Sequence, residues 1–217
     1  MKKGFTLAEI LITMTIIGVV AAITLPALQT NVNKSAVGPA LAKAVNTLEN
    51  ANKLIMVENS ARTLKTICED DYYACLKSTV SGGEVEVSGV DYKSYDYSTI
   101  VFSPAKGYQI NDGSLIFVTA GPAEEALSDL PHQFDGRYYT IYVDTNGYRK
   151  RPNAIGRDTF LFYVDLRGSL IPYGGTLYKL YTNGGSVLWE EGCLPNEPAD
   201  GATCTGSIAD NGWKVVY

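Results

Sequence analysis

Histidine is nearly absent from this chain: of 217 residues only His132 carries an imidazole. One histidine leaves no pair to hold zinc and none to spare for a proton relay. It follows Pro131 in the turn-rich stretch Gly121 to Asp135, where a solvated or turn-stabilising role is expected. The motifs Gly-x-x-x-x-Gly-Lys-Ser/Thr, Gly-x-Ser-x-Gly and His-Glu-x-x-His are all missing. Phosphate cradles, hydrolase elbows and zincin helices therefore lack their sequence marks. Acidic pairs such as Asp70-Asp71 and Glu124-Glu125 are sequence neighbours in polar stretches, and neighbours do not converge on one face of a helix or strand. No catalytic constellation remains, and the chain is not expected to be an enzyme. Basic side chains are in the minority, 18 against 23 acidic for a formal net charge of −5. An acidic exterior disfavours non-specific nucleic-acid binding, so no nucleic acid is expected among the partners.

Cysteine is sparse and falls into two local pairs, Cys68 with Cys75 and Cys193 with Cys204. Neither pair has the Cys-x-x-Cys spacing of a zinc or redox site, so disulfides are the better reading. Four cysteines allow three connectivities. The local one closes the smallest loops and is the expectation, with the crossed pairings as its alternatives. Oxidised cysteines place the domain outside the cytoplasm.

What the chain has in abundance lies at its start. After Lys2, Lys3 and Gly4, the run from Phe5 to Leu28 is almost wholly apolar. As a helix it is roughly 36 Å long at about 1.5 Å per residue, enough to cross a bilayer core of about 30 Å. Lys2 and Lys3 hold its N-terminus on the cytoplasmic side. Its single ionisable side chain is Glu9, and a carboxylate in a spanning segment costs about 2.5–3.5 kcal/mol near the centre and less near an end. A plain anchor has little use for it beyond complementing the helix dipole. A conventional secretory signal is the competing reading, because Ala40-Leu41-Ala42 is a small-x-small site, but it lies about a dozen residues past the apolar run.

The sequence Lys-Lys-Gly followed by Phe-Thr-Leu-Ala-Glu and an apolar run closely resembles the class III signal of type IV prepilins and type II secretion pseudopilins. The resemblance covers about the first 30 residues. It implies that a membrane-embedded prepilin peptidase cuts after Gly4 and N-methylates Phe5, and that Glu9 meets the terminal amine of a neighbouring subunit within a filament. It implies further that Pro26 lies where the helix loosens on assembly. The implied partners are the peptidase, other pilin or pseudopilin subunits and an inner-membrane assembly platform. The protein would then sit in the cytoplasmic membrane as a single-pass N-in, C-out chain and reach an extracytoplasmic or cell-surface filament after assembly. The alternative is a membrane-anchored extracytoplasmic binding or adhesion module that does not polymerise.

Three parts are therefore expected: a leader over 1–4, a transmembrane and assembly helix over 5–28, and a globular domain over 29–217. Val37, Leu41, Val45, Leu48 and Ile55, with Ala44 and Ala51 filling in, recur at helical spacing and predict an amphipathic stem that ends at Glu58-Asn59-Ser60. Ala61 to Val80 keeps a helical spacing around Cys68 and Cys75. Glu84 to Val87 alternates like an exposed strand. Further strands are predicted over Ser98 to Phe102, Tyr108 to Ile110, Ser114 to Val118, Tyr138 to Val143, Thr159 to Leu166, Ser169 to Pro172 and Trp213 to Val216, with Asn111-Asp112-Gly113 as a hairpin turn. A long helix followed by consecutive short strands predicts an α+β domain with the helix stripe on one face of an antiparallel sheet. That agrees with the pilin-like ladle the resemblance implies, in which the Cys193–Cys204 loop looks like a pilin D-region. Fifteen tyrosines against six phenylalanines suit half-buried sheet faces.

The loop Asp144 to Asp158, with Phe160-Leu161-Phe162 after it, resembles a recurring C-terminal block of prepilin-like proteins that names no activity. Two predicted strands flank its exposed backbone, so something must order it. One candidate is calcium, held by Asp144, Asn146 and Asp158 with backbone carbonyls, since hard oxygen ligands suit that ion. The other is that Asp and Asn cap the turns themselves while Arg149, Arg151 or Arg157 pairs with the carboxylates. No other cofactor is expected.

Overall fold

The computed structural model describes residues 6–68, 71–120, 137–176, 193 and 201–216. Its contacts divide it into two compact units, Met1–Ala36 and Val37–Tyr217. One helix, α1 (Leu7–Glu58), supplies all the described structure of the first unit and the first element of the second. It continues as helix through Pro26, where the resemblance implies loosening on assembly, and through Gly38-Pro39. Between Leu7 and Thr24 it is long and apolar enough to cross a membrane, and none of that window is buried within the protein. Leu7 is 80% and Ile23 71% exposed, so the stretch has no protein core to pack into. The helix stops where expected: Ser60 turns left-handed at φ +50, and the Ala61 N–H donates to the Met56 carbonyl at 2.9 Å, closing the last turn.

In the second unit the predicted stripe is the buried one. Leu41, Ala44, Val45, Leu48, Ala51 and Ile55 are all buried. Leu41 sits within α1 at no exposure, so the small-x-small site Ala40-Leu41-Ala42 is part of the core helix. Two short helices follow, α2 (Lys65–Cys68) and α3 (Tyr72–Thr79), the latter capped by the Asp71 carboxylate, which accepts from the Ala74 N–H at 3.1 Å. The Cys68–Cys75 disulfide ties them, with Cα atoms 5.6 Å apart.

The strands are β1 (Gly82–Glu86), β2 (Tyr92–Lys93), β3 (Ile100–Phe102), β4 (Lys106–Ile110), β5 (Leu115–Ala120), β6 (Arg137–Asp144), β7 (Thr159–Asp165) and β8 (Leu170–Pro172). Six of them form one antiparallel sheet in the order β1-β4-β5-β6-β7-β8, and β2 pairs with β3 apart from it. Alternation decides which face is buried against what. Tyr108, Ile116, Ile141, Val143, Phe160, Phe162 and Val164 join the α1 stripe in one core. Leu115 and Phe117 point to the other face, where Val87, Tyr92 and Phe102 cover them in a second cluster. The fold is α+β, as the order and period of the elements predicted, and is consistent with the pilin-like domain that the resemblance implies.

Many tyrosines work inside, each with its hydroxyl satisfied. Tyr108 donates to the Val80 carbonyl at 2.7 Å, and the Tyr73 hydroxyl accepts from the Val118 N–H at 2.9 Å. Tyr72 donates to the Asn52 amide oxygen at 2.8 Å, and Asn52 in turn donates to the Gly168 carbonyl at 2.9 Å. This buried chain ties α1, α3 and the β7–β8 turn.

The expected closing strand over Trp213 to Val216 does not form. The described C-terminal element is instead α4 (Cys204–Asp210), and the Trp213 N–H caps it by donating to the Ile208 carbonyl at 2.8 Å. The chain then lies on α1, where Gly38 has no side chain: a Cβ there would stand 1.9 Å from the Trp213 carbonyl oxygen. Trp213 and Val215 pack against the main core, so their apolar spacing serves a helix surface rather than a strand ladder. Cys193 and Cys204 are bonded, with Cα atoms 4.9 Å apart.

Candidate functional site

Two regions hold the residues singled out from the sequence. Gly4, Phe5 and His132 lie outside the described residues. Pro26 lies within the helical span of α1.

Glu9 sits in the first turn of α1, where four N–H groups have no intrahelical partner. Its Oε2 accepts from the Thr6 N–H at 2.9 Å and from the Thr6 hydroxyl at 2.8 Å, while the Thr6 hydroxyl oxygen accepts from the Glu9 N–H at 3.3 Å. This is a reciprocal capping box. Its signature, Thr6-x-x-Glu9, stands in the sequence, unused when Glu9 is considered only as an unpaired carboxylate. Within the chain itself, then, the carboxylate already has a partner, and it remains exposed.

The β6–β7 loop brings Asp144, Asn146 and Asp158 together. Asp144 ends β6, and its Oδ1 accepts from the N–H groups of Asn146 at 3.0 Å and Gly147 at 2.8 Å. Gly147 meets this turn at φ +80, and a Cβ there would stand 2.8 Å from the Gly113 carbonyl oxygen, which glycine alone avoids. The other Asp144 oxygen accepts from the Tyr92 hydroxyl at 2.7 Å, a contact 52 residues away in sequence that no local pattern announces. Asp158 accepts from the backbone N–H of Asn153 and of Ala154, each at 2.8 Å, from the Thr159 hydroxyl at 3.3 Å and from the Asn146 amide at 3.4 Å.

All four carboxylate oxygens thus accept from N–H or O–H groups, while the Asn146 Oδ1 is buried without a hydrogen-bond partner. Calcium wants the carboxylate lone pairs free. The geometry therefore supports turns capped by the carboxylates themselves. The arginine half of that reading needs correcting. Among the described residues, ion pairs join Lys43 to Asp112 and Lys106 to Glu84, and neither acid lies in this loop. Arg157 turns instead to Tyr95: its Nε donates to the Tyr95 carbonyl at 2.8 Å, and its guanidinium lies 4.2 Å from that ring and 4.9 Å from the ring of Tyr97. A planar cation finds aromatic faces there, without the desolvation cost of reaching two buried acids.

Burial, and then the neighbouring Asp158 charge, push the Asp144 carboxyl up to about 7, against three hydrogen bonds that favour its ionised form. Burial also raises Asp158. In the unfolded chain Asp144 loses its proton near pH 4, whereas the folded protein keeps it until near pH 7. The unfolded state therefore binds fewer protons across that window, and stability falls as pH rises through it. Thermal melts should give a midpoint several degrees higher at pH 5 than at pH 8. Asp144→Asn, which keeps an acceptor for the two backbone N–H groups and carries no charge, should flatten that slope. An equal slope in both proteins overturns the assignment.

Residues 1–25 match the family profile described as the prokaryotic N-terminal methylation motif, the class III signal of the type IV prepilin and pseudopilin family. The chain carries a prepilin signal. No curated protein and no solved structure matches the chain. The motif suggests a substrate of a prepilin peptidase and points to a structural role. The exposed apolar helix beside it fits membrane anchoring.

Proposed function

We propose that the protein is a structural subunit, a pilin or pseudopilin, of a type IV pilus or type II secretion filament. The observation that carries the reading is the signal itself, Lys2-Lys3-Gly4 directly before Phe5-Thr6-Leu7-Ala8-Glu9. A glycine before an apolar run gives a peptidase an unhindered backbone at the membrane face, and the apolar helix it releases suits two environments in turn. In the bilayer its side chains meet lipid. In a filament they meet the helices of other subunits, which calls for no change of sequence because both surroundings are apolar. The second unit, stapled by two disulfides, remains outside the cytoplasm.

Intact-mass measurement tests this. The mature chain should lack Met1 to Gly4 and carry one extra methyl group on Phe5. Retention of the leader, or cleavage after Ala42, overturns the reading. A bulky charged residue at Gly4 should block the cut and leave membrane insertion unchanged.

A further inference from the structure

A cleft of about 670 Å³ opens on the second unit between the β1–β2 connection and the β6–β7 loop. Three cations line it, Lys93, Arg149 and Arg151, against one acid, Asp91, whose carboxylate accepts from the Ser103 hydroxyl. Gathering three positive side chains on one cleft runs against the average of a chain whose net charge is −5. None of the three makes an ion pair with another described residue. Two aromatic rings, Tyr97 and Tyr148, stand beside them. Arg149 lies 5.4 Å from the Tyr148 ring, and its Nε donates to the Tyr148 hydroxyl at 3.1 Å.

The third feature is an unanswered acceptor. Asn153 also lines the cleft, only 9% exposed, with a left-handed backbone at φ +52. Its amide nitrogen donates to the Tyr148 carbonyl at 3.0 Å, which fixes the orientation of the amide, and its Oδ1 is buried with no hydrogen-bond partner. That oxygen lies beneath the surface, so its unmet acceptor is strain in the cleft wall and no contact for a ligand. Non-glycine residues held at positive φ carry strain that tends to mark functional sites. Tyr97, at φ +65, is a second one on this cleft.

The geometry points to this cleft as a binding site for an acidic saccharide, a sugar bearing a carboxylate. The carboxylate meets Arg149 and Arg151, whose planar forks suit a two-oxygen anion, with Lys93 as a further charge. The tyrosine faces take the C–H face of a sugar ring. Inorganic phosphate would engage the cations and leave the rings and most of the volume idle. Single-stranded nucleic acid would use rings and cations, but it needs a basic groove that tracks several nucleotides, and the acidic exterior opposes a polyanion.

The test uses the full chain in detergent, titrated calorimetrically with digalacturonate, with the neutral disaccharide of galactose and with an oligothymidylate. Digalacturonate should bind, and the neutral sugar should bind at least about tenfold more weakly, as expected for the loss of a charge-assisted pair. Arg149→Gln with Arg151→Gln should weaken digalacturonate by a similar factor at an unchanged melting midpoint, because both side chains are exposed. Arg149→Lys with Arg151→Lys should retain part of the binding, and Lys77→Gln, on α3, should retain all of it. The inference is overturned by no binding of digalacturonate at millimolar concentration, by equal binding of the neutral sugar, by a Gln double variant that binds as well as wild type, or by preference for the oligonucleotide.

Discussion

Glu9→Val and Glu9→Gln should both insert into the membrane at wild-type level and both drop out of filaments. Insertion is unharmed because removing a carboxylate lowers the cost of an apolar span, by less than the roughly 2.5–3.5 kcal/mol of a central position. The two variants separate the two roles the side chain can play. Glutamine keeps an amide oxygen for the Thr6 N–H that Glu9 now accepts at 2.9 Å, so the start of α1 is preserved. It carries no charge to meet the amine of a neighbour. Losing a helix cap costs about 0.5–2 kcal/mol. Stranding an ammonium in an apolar bundle costs about 3–5 kcal/mol, more than a hundredfold in incorporation, so the charge is the larger effect. Immunoblots of sheared filaments against membranes read the outcome. If Glu9→Gln incorporates as wild type while Glu9→Val does not, capping is the whole role. If both incorporate fully, pairing with a neighbour is wrong.

Asp158→Ala should lower the melting midpoint by about 5–15 °C. The carboxylate answers two buried backbone N–H groups and two side chains, and each buried donor left open costs about 1–3 kcal/mol. For a domain of this size, each kcal/mol is worth about 2–4 °C. Removing the charge also relieves repulsion with Asp144, so the loss should be larger at pH 5, where Asp144 is already protonated, than at pH 8. Calcium in excess should leave the wild-type midpoint where chelator leaves it, because the oxygens are already occupied. A rise of several degrees that Asp158→Asn erases would establish the ion instead. An unchanged midpoint in Asp158→Ala would show that the loop does not depend on this carboxylate.

These two sites were legible to different degrees. The Glu9 capping box lies within four residues and is written in the spacing. The Asp144 site has a local half, because an Asp followed by Asn-Gly announces a turn, and a distant half in Tyr92, which only the covering of the sheet by the β2–β3 pair brings near. Asn52 was equally silent. On the α1 pattern it is a polar residue between Ala51 and Lys53, yet it is fully buried because Tyr72 and the Gly168 carbonyl converge on it. The Trp213–Val216 segment misled in the other direction, since apolar spacing shows that a surface is covered and not whether a strand or a helix covers it.

The sequence by itself determined the prepilin signal, the membrane-length helix, the amphipathic stripe of α1 and the α+β order, because cleavage context, hydropathy and period are properties of neighbouring residues. The tertiary structure alone decided that Arg157 of the β6–β7 loop turns to Tyr95, that a helix closes the described C-terminal segment, and that Lys93, Arg149, Arg151 and Asn153 line one cleft. Those outcomes rest on which buried groups can be satisfied at once by residues far apart in the chain. That competition is settled only when the sheet faces have been covered.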